Sequence, residues 1–327
     1  MDSRYIAGVD IGGTKVAVTV ANLDGPLARI AEPTVRTGTV RALGEQVLAM
    51  LERACAQAGV KPEEIKDVGV GSAGPFVKMD GMIAVSAPNI CGGLSARSDL
   101  GNDWTEVPLE QVLRERYDRV VIANDCVAAL AAERAFGAVQ DEPDCAYVTW
   151  STGIGFGFCV DGRMLFGKRG NAGHAGHMVM DANAEVVCGC GNRGDLEALV
   201  SGRNLDYVSS MTTPELFDAA RRGEPHARQT VEQAAQWFGR ALYNLVAALD
   251  IRIFAVGGAI WTHHGDWLLP LVQKELESRF KALTDDVTIV PAALGSRAAD
   301  VGALTLAMPD AWVSHWRQGQ PWQVLDK

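Results

Sequence analysis

The fold is decided by the stretch YIAGVDIGGTKVAVTV, which spans Tyr5–Val20. Two apolar runs rich in valine flank a glycine turn, and this pattern predicts two neighbouring strands. Asp10 lies at the end of the first strand, and the turn is Gly12-Gly13-Thr14-Lys15. Glycines let backbone N–H groups approach an anion closely, while the threonine and lysine add a hydroxyl and a positive charge. The turn predicts a phosphate site only weakly by itself, because ordinary hairpins also carry glycines.

A second stretch of the same design strengthens the phosphate interpretation. AYVTWSTGIGFGFCV, at Ala146–Val160, again places a glycine turn between two apolar runs, with Thr152 and Gly153 in the turn. Both stretches are followed by an Asp-Gly hairpin signal, at Asp24-Gly25 and at Asp161-Gly162. We interpret the likeness as an internal duplication whose two turns clamp a polyphosphate from both sides. Two similar hairpins that arose by chance are the alternative.

Strands and helices alternate through the rest of the chain, which indicates an α/β fold. Cys91–Trp104 is polar and glycine-rich, so we expect an irregular loop there. The three tryptophans of the C-terminal segment predict a helix packed on the body of the protein or on a partner. The principal predicted helices cover 41–57, 229–251, 267–280 and 296–308. The later predicted strands lie in 253–260, where the strand opens into Gly257-Gly258, and in 287–290.

One carboxylate lies where a strand gives way to a helix. The β-branched run Val120–Ile122 stops at Asn124-Asp125, and an alanine-rich helix follows. An aspartate at this position is commonly a helix N-cap. The crevice beyond the carboxyl ends of sheet strands is also where α/β proteins hold ligands. Position alone therefore leaves Asp125 open between a structural and a functional role.

Metal-binding side chains are concentrated in the stretch Asn171–Ser201, NAGHAGHMVMDANAEVVCGCGNRGDLEALVS. It contains two histidines, a Cys-x-Cys pair and two acidic residues: His174, His177, Cys188, Cys190, Asp195 and Glu197. The spacing His-x10-Cys-x-Cys-x4-Asp suits a small tetrahedral site, since imidazole and thiolate are ligands that Zn²⁺ prefers. A glycine-rich surface loop with two unconnected thiols is the alternative.

The bulk composition narrows the class of protein. The length of 327 residues predicts two domains, and 48% hydrophobic with 21% charged residues is ordinary for a globular enzyme. A net charge of −10 disfavours a nucleic-acid surface. We find neither an apolar run long enough to span a membrane nor an N-terminal leader, so we expect a cytoplasmic protein without membrane contact. The other five cysteines stand singly and are expected to be reduced thiols.

Taken together, the motifs resemble those of ROK-family sugar kinases, which belong to the actin/hexokinase/Hsp70-like ATPase superfamily. The resemblance runs from about Tyr5 to Met308 and is carried by VDIGGTK, GSAGP, APN, AND, STGIG, GHxGH, CxCGxxG followed by LEALVSG, and AVGGAI. It implies a duplicated, two-domain ribonuclease H-like (actin/hexokinase-like) α/β fold with a small zinc knuckle. The expected N-terminal domain covers 1–122 plus about 300–327. The expected C-terminal domain covers 123–299 and contains the knuckle 177–195.

The same resemblance assigns roles to individual residues. It implies an ATP-dependent hexose kinase with Asp125 as the general base and, by analogy, a homodimer or homotetramer. Hydrogen bonds to the sugar are expected from Asn89, Asn124, His174, His177 and Glu197. The ATP site, with Mg²⁺ on the Asp10 side, is expected to consist of Asp10, Gly12, Gly13, Thr14, Lys15, Thr152, Gly153, Gly257 and Gly258. A structural Zn²⁺ is expected on His177, Cys188, Cys190 and Asp195.

Two departures from the family pattern concern the metal and the sugar. The family's usual third cysteine of the knuckle is Asp195 here, so we expect zinc to bind more weakly through a harder ligand. His174 stands where many glucokinases of the family have glutamate, which accepts hydrogen bonds from two vicinal sugar hydroxyls. We therefore expect an altered preference near C1 and C2 of the sugar. N-acetylmannosamine or an amino sugar such as 3-amino-3-deoxyglucose is the alternative substrate.

Two other classes of protein compete with a kinase. The family's sugar-responsive repressors carry an N-terminal helix-turn-helix, for which the strand that starts by Tyr5 leaves no room. A non-catalytic sugar sensor would be expected to lack Asp125 or the phosphate turn, and both are present. The sequence therefore favours an enzyme.

Overall fold

The structure is a computed structural model that describes residues 4–94 and 100–326. The chain forms two compact units. Unit 1 comprises Met1–Gln140, Phe166–Ala172 and Ser296–Lys327, and unit 2 comprises Asp141–Leu165 and Gly173–Gly295. Residues 95–99 of the expected irregular loop lie outside the described residues. The division into functional domains near 122 and 300 remains a prediction.

The elements follow the α/β pattern predicted from the sequence. The strands are β1 Tyr5–Ile11, β2 Lys15–Asn22, β3 Gly25–Pro33, β4 Ile65–Ser72, β5 Phe76–Met79, β6 Met82–Val85, β7 Arg119–Asn124, β8 Cys145–Trp150, β9 Ile154–Val160, β10 Arg163–Met164, β11 Ile253–Gly257 and β12 Thr288–Pro291. The helices are α1 Ala42–Ala58, α2 Leu109–Arg114, α3 Asp125–Phe136, α4 Leu196–Val200, α5 Gly202–Ser209, α6 Thr213–Arg221, α7 Pro225–Leu249, α8 Ala259–Glu277, α9 Lys281–Thr284, α10 Ala298–Ala307 and α11 Asp310–Gly319.

Unit 1 is built on a five-stranded sheet with the order β3-β2-β1-β4-β7. The strands β1, β2 and β3 form an antiparallel meander, and β1, β4 and β7 run parallel. Val9 and Val18 are cross-strand partners, and both are fully buried in the core. The parallel strands end together, because Ile11 pairs with Ser72 and Ser72 with Asn124. Side chains at this shared carboxyl edge can act on one ligand.

Helices cover the sheet of unit 1. The amphipathic pattern of α1 places Leu43, Val47 and Leu51 in the core, as its apolar spacing predicts. The helix α10 lies directly on β4, where a Cβ added to Gly69 would lie 2.0 Å from the carbonyl oxygen of Ala303. Only glycine allows the helix and the strand to approach so closely.

The C-terminal tryptophans lie in α11 and in the 3₁₀ helix Pro321–Asp326, and this segment packs on the body of unit 1, as expected. Trp312, Trp316 and Trp322 are all buried. The Trp316 indole donates to the carbonyl of Asn22, and the Trp322 ring lies 4.7 Å from that of Phe136. This segment is therefore an integral part of unit 1.

Unit 2 repeats the sheet of unit 1. Its strand order is β10-β9-β8-β11-β12, with β8, β9 and β10 antiparallel and β8, β11 and β12 parallel. Each strand therefore has its counterpart in the first sheet, which supports the internal duplication inferred from the two glycine turns. The long helix α7 buries Phe238 against Trp150, with the ring centroids 4.5 Å apart.

The start of α8 differs from the sequence-based expectation. The strand β11 ends at Gly257, where the sequence predicts a glycine turn, but the helix begins at Ala259 rather than at Trp267. Gly258 causes the break, because its φ of +87° lies in the left-handed region and ends the extended backbone. Its backbone also packs tightly, since an added Cβ would lie 2.5 Å from the carbonyl oxygen of Trp150.

Candidate functional site

The first glycine turn joins β1 and β2 at the carboxyl edge of the sheet in unit 1. The N–H of Gly12 donates to the carbonyl of Lys15 over 2.9 Å, which closes the turn. A Cβ added to Gly13 would lie 2.7 Å from the carbonyl oxygen of Asn89. The glycine is thus required because Asn89 occupies that space. The structure brings the predicted sugar ligand Asn89 against the predicted phosphate turn.

The two predicted acidic residues lie at the same sheet edge. Asp10 is the penultimate residue of β1, and Asp125 begins α3 directly after β7. Burial, together with the negative charges of Asp300 and Asp125, raises the pKa of Asp10 to about 7. The negative charge of Asp125 therefore disfavours ionisation of the Asp10 carboxyl. Lys15 opposes this rise with its positive charge.

The N-cap of helix α3 is the residue before Asp125. Asn124, not Asp125, is the N-cap, and its Oδ1 accepts from the N–H of Cys126 over 3.0 Å. The Asp125 side chain is exposed to solvent even though protein atoms crowd its carboxyl group. This crowding raises the pKa of Asp125, and the hydrogen bond from Cys126 opposes the rise. The Oδ1 of Asp125 also accepts from the N–H of Cys126, over 2.9 Å, so the two side chains share this donor.

An ion pair that sequence reasoning missed lies close to Asp10. Arg29 on β3 binds Asp300 on α10 with two hydrogen bonds, of 2.9 and 3.1 Å. The hydroxyl of Thr19 also donates to Asp300, over 3.3 Å. Asp300 is 271 residues away from Arg29 in the sequence, so no local pattern could have signalled the pair.

The second glycine turn lies at the carboxyl edge of the sheet in unit 2. Gly257 pairs with Thr149 at the end of β8, and Gly258 packs on the backbone of Trp150. The predicted ATP residues Thr152 and Gly153 follow two and three residues after Trp150. The structure thus brings the four predicted ATP residues of this unit to one edge.

Glu197 connects this second turn to the knuckle. Its Oε2 accepts from the N–H of Ile154 over 3.1 Å, and its Oε1 lies 3.2 Å from the sulfur of Cys188. A Cβ added to Gly153 would lie 2.8 Å from the same Oε2. The contact with the turn was not foreseen, and the predicted contact of Glu197 with a sugar remains a prediction.

The four predicted metal ligands converge. One donor atom each of His177, Cys188, Cys190 and Asp195 lies within 4.8 Å of all the others. From the Nδ1 of His177, the distances are 3.2 Å to the Oδ2 of Asp195, 3.7 Å to the sulfur of Cys188 and 3.5 Å to the sulfur of Cys190. The sulfur of Cys190 lies 3.5 Å from the same Oδ2.

These separations fit a tetrahedral zinc ion. With metal–ligand distances of about 2.0 Å to nitrogen, 2.1 Å to oxygen and 2.3 Å to sulfur, neighbouring donor atoms lie about 3.3–3.8 Å apart. The four separations of 3.2–3.7 Å are close to these values. Imidazole, two thiols and a carboxylate are also a chemically suitable set of donors.

Asp195 performs two tasks with its two oxygens. Its side chain is fully buried, and the Oδ1 accepts from the N–H of Ala198 over 2.7 Å, which caps helix α4. The Oδ2 faces the other three donors. Burial opposes ionisation, but the hydrogen bonds from His177 and Ala198 outweigh it and hold the pKa of Asp195 below its usual value. The helix cap thus orients the carboxylate toward the metal position.

His174 and His177 share one 3₁₀ turn, His174–His177, with ring centroids 6.0 Å apart. Burial lowers the pKa of His174, and the neighbouring His177 lowers it further, so the His174 ring is neutral at physiological pH. Its Nε2 is buried and has no hydrogen-bond partner among residues 4–94 and 100–326. A buried ring nitrogen without a partner is costly unless a ligand or water completes it.

The predicted site residues therefore form one group in each unit. Unit 1 holds Asp10, Gly12, Gly13, Thr14, Lys15, Asn89, Asn124 and Asp125. Unit 2 holds Thr152, Gly153, His174, His177, Cys188, Cys190, Asp195, Glu197, Gly257 and Gly258. Within the described part of the chain, no helix combines the length and the apolar character needed to cross a membrane.

The curated proteins that resemble this chain include sugar kinases. Among curated proteins, the chain is 29% identical to a glucokinase of Aeropyrum pernix, over 92% of this chain and 96% of the relative. It is 33% identical to an N-acetylmannosamine kinase of Salmonella newport, over 79% of this chain and 84% of the relative.

Solved structures agree with these relatives. A ROK hexokinase from Thermus thermophilus superposes with a TM-score of 0.75 at 32% identity, covering 93% of this chain and 97% of that one. A ROK family glucokinase from Streptomyces griseus, in complex with glucose and AMPPNP, gives a TM-score of 0.64 at 28% identity, covering 93% and 99%. The ROK family profile itself matches residues 6–309. The chain therefore belongs to the ROK family.

Proposed function

We propose that this protein transfers the γ-phosphate of ATP to the 6-hydroxyl of glucose or of a related amino or N-acyl hexose. That it is an ATP-dependent sugar kinase follows from its family and from relatives named glucokinase and N-acetylmannosamine kinase. The proposal concerns the sugar, the hydroxyl and the residues that act. The observation that carries it is the pair of carboxylates, Asp10 and Asp125, at the sheet edge that also holds the glycine turn.

Asp125 acts as the general base in this proposal. Its carboxylate accepts the proton of the sugar hydroxyl while the new O–P bond forms and the bond between the γ-phosphorus and the β,γ-bridging oxygen breaks. The raised pKa makes the carboxylate a better proton acceptor, and its exposure lets a substrate reach it. Phosphoryl transfer depends mostly on positioning and charge neutralisation, to which such a base adds about 10²–10⁴-fold.

The glycine turns hold the phosphates. Gly12–Lys15 supplies backbone N–H groups and one positive charge, and Thr152-Gly153 supplies the corresponding turn of unit 2. Asp10 would hold Mg²⁺ through water, and the bound ion would neutralise charge on the phosphates. At a pKa of about 7 the Asp10 carboxyl loses its proton readily when a cation approaches.

The zinc knuckle stabilises the part of unit 2 that is proposed to bind the sugar. His177, Cys188, Cys190 and Asp195 would hold the ion, which supplies a fixed structural centre. The Nδ1 of His177 faces the other donors, which leaves its Nε2 to donate a hydrogen bond to the sugar. Metal binding at one ring nitrogen fixes both the tautomer and the ring orientation.

His174 bears on the identity of the sugar. As a neutral ring it accepts one hydrogen bond and donates one, whereas a glutamate would accept from two hydroxyls. Its partnerless Nε2 supports contact with a substrate group. An axial or acylamino substituent at C2 is therefore compatible, and N-acetylmannosamine or an amino sugar is the second candidate. The relatives named glucokinase and N-acetylmannosamine kinase leave both choices open.

The expectations of a homodimer or homotetramer, of a cytoplasmic location and of no nucleic-acid partner remain part of the proposal. A non-catalytic sugar sensor is disfavoured because both Asp125 and the phosphate turn are in place at one sheet edge.

The test is a coupled assay of ADP release with MgATP and a panel of sugars. The panel contains glucose, mannose, their 2-amino and N-acetyl forms, and 3-amino-3-deoxyglucose. We expect one member to be phosphorylated with a kcat/KM within the ordinary enzyme range of about 10⁴–10⁸ M⁻¹s⁻¹. Sugar binding without turnover of any member would favour the sensor. A reaction with MgATP but without sugar is the control for simple ATP hydrolysis.

A further inference from the structure

A buried threonine lies beside the phosphate turn although no motif marks it. Thr34 follows β3 directly and is 5% exposed. Its hydroxyl donates to the carbonyl of Gly12 over 2.7 Å, and its N–H donates to the carbonyl of Thr14 over 3.1 Å. One residue thus holds two of the carbonyl groups in the turn Gly12–Lys15.

These two hydrogen bonds determine where the amides of the turn point. In a planar trans peptide, the C=O and the following N–H point in opposite directions. When Thr34 fixes the carbonyl of Gly12, the N–H of Gly13 is aimed away from Thr34. In the same way, fixing the carbonyl of Thr14 aims the N–H of Lys15 away. Amides that point together from a turn form an anion site.

The segment that carries Thr34 is itself anchored at several backbone positions. Gln46 on α1 donates to the carbonyl of Pro33 over 2.8 Å and accepts from the N–H of Val35 over 3.0 Å. The Trp104 indole donates to the carbonyl of Gly38 over 3.0 Å. We call Thr34–Gly38 the brace.

Asn102 joins the brace to the loop that follows Asn89. Its amide nitrogen donates to the carbonyls of Arg36 and Ile90, over 3.1 and 3.3 Å. Its oxygen accepts from the N–H of Gly92 over 2.8 Å. The side chain of Asn102 therefore contacts both the brace and the loop that follows Asn89. This gives the brace a fixed position relative to Asn89.

We propose that Thr34 is a positioning residue that sets the shape of the phosphate turn, and that the rest of the brace holds Thr34 in place. The proposal deepens the kinase function and rests on it, since the turn is taken to bind the phosphates of ATP. Thr34 itself touches neither substrate. It acts through the peptide groups of Gly12 and Thr14.

The test compares three variants. Thr34→Val has nearly the same shape but removes the hydroxyl, Thr34→Ser restores the hydroxyl, and Thr37→Val makes the same substitution at an exposed position of the brace. Hydrogen exchange of peptides that cover residues 12–15 measures the turn directly. Steady-state kinetics gives KM for MgATP, KM for the sugar and kcat.

We expect Thr34→Val to speed exchange at the turn and to lower kcat/KM for MgATP about five- to hundredfold, because the carbonyl of Gly12 loses its partner. Sugar affinity should stay within about twofold. Thr34→Ser should restore most of the loss, and Thr37→Val should match the wild type. If Thr34→Val fails to fold, Thr34→Ala serves as the second variant without a hydroxyl.

Unchanged exchange at residues 12–15 in Thr34→Val would overturn the proposal. Faster exchange throughout unit 1, or equal losses with MgATP and sugar, would also overturn it, since both indicate general destabilisation. If the wild type phosphorylates no sugar, the proposed function fails, but the exchange measurement still decides whether Thr34 shapes the turn.

Discussion

The double use of Asp195 leads to a prediction that separates metal binding from helix capping. Asp195→Asn keeps a side-chain oxygen that can accept from the N–H of Ala198, but it replaces the metal-facing carboxylate oxygen with a neutral amide group. Asp195→Ala removes both functions. Asp195→Cys supplies a thiolate ligand and gives up most of the cap.

The expected loss of stability has two parts, one from the helix cap and one from the metal ligand. Loss of the N-cap costs about 1 kcal/mol. If loss of the carboxylate ligand weakens zinc binding about a hundredfold, the stabilisation by the metal falls by about 2.7 kcal/mol. For a domain of 150–250 residues, each kcal/mol shifts Tm by about 2–4 °C. Asp195→Asn should therefore lower Tm by about 5–10 °C more with zinc present than in a chelator.

The assay is zinc content by elemental analysis together with thermal unfolding, each with and without chelator. We expect about one zinc per wild-type chain. Asp195→Ala should lose a further 2–4 °C relative to Asp195→Asn in chelator, because it alone loses the cap (~1 kcal/mol). Asp195→Cys should retain zinc. The reasoning is refuted if Asp195→Asn binds zinc as tightly as the wild type, or if a chelator leaves the Tm of the wild type unchanged.

Two further predictions concern charge and sugar preference. Folding raises the pKa of Asp10 from 3.8 to about 7, so between these pH values the folded state binds a proton that the unfolded state has lost. The free energy of unfolding should therefore fall as pH rises from about 4 to about 7, by at most about 4 kcal/mol from this group. Asp10→Asn, measured in a chelator, should raise Tm more at pH 8 than at pH 4, and an equal shift at both pH values would contradict the assignment. His174→Glu should raise the ratio of kcat/KM for glucose to kcat/KM for N-acetylmannosamine by about tenfold or more. The reason is that one hydrogen bond to a charged group contributes about 1.5–3 kcal/mol. An unchanged ratio would show that position 174 does not contact C1 or C2.

Much of the fold follows from local patterns. The two valine-rich hairpins, each with its glycine turn, predict the strands β1, β2, β8 and β9, and their likeness correctly indicates two sheets of the same order. The knuckle was also predictable, because His177, Cys188, Cys190 and Asp195 lie close together in the sequence and their donor types suit one metal. In both cases the determining residues are neighbours along the chain.

Other features depend on contacts between distant segments. Arg29 and Asp300 are joined only by the folding of α10 onto the sheet, so no spacing signals their pairing. Thr34 has no motif because its function depends on two backbone carbonyls rather than on side chains. The start of α8 was misplaced because the helix follows the left-handed Gly258 directly, whereas the helix predicted from the sequence begins at Trp267. Asp125 was considered as the N-cap of α3, but Asn124 is the cap, since either of two adjacent polar residues can cap a helix.

The central claim is that Asp125 removes the proton from the sugar hydroxyl during phosphoryl transfer. The most direct test measures kcat and sugar affinity of Asp125→Asn, using the sugar that the wild type phosphorylates best. We predict that kcat falls about 10²–10⁴-fold, while the Kd for the sugar, measured by calorimetry, changes by less than about threefold. A kcat within about tenfold of the wild type would contradict the account, because the carboxylate would then not be the base.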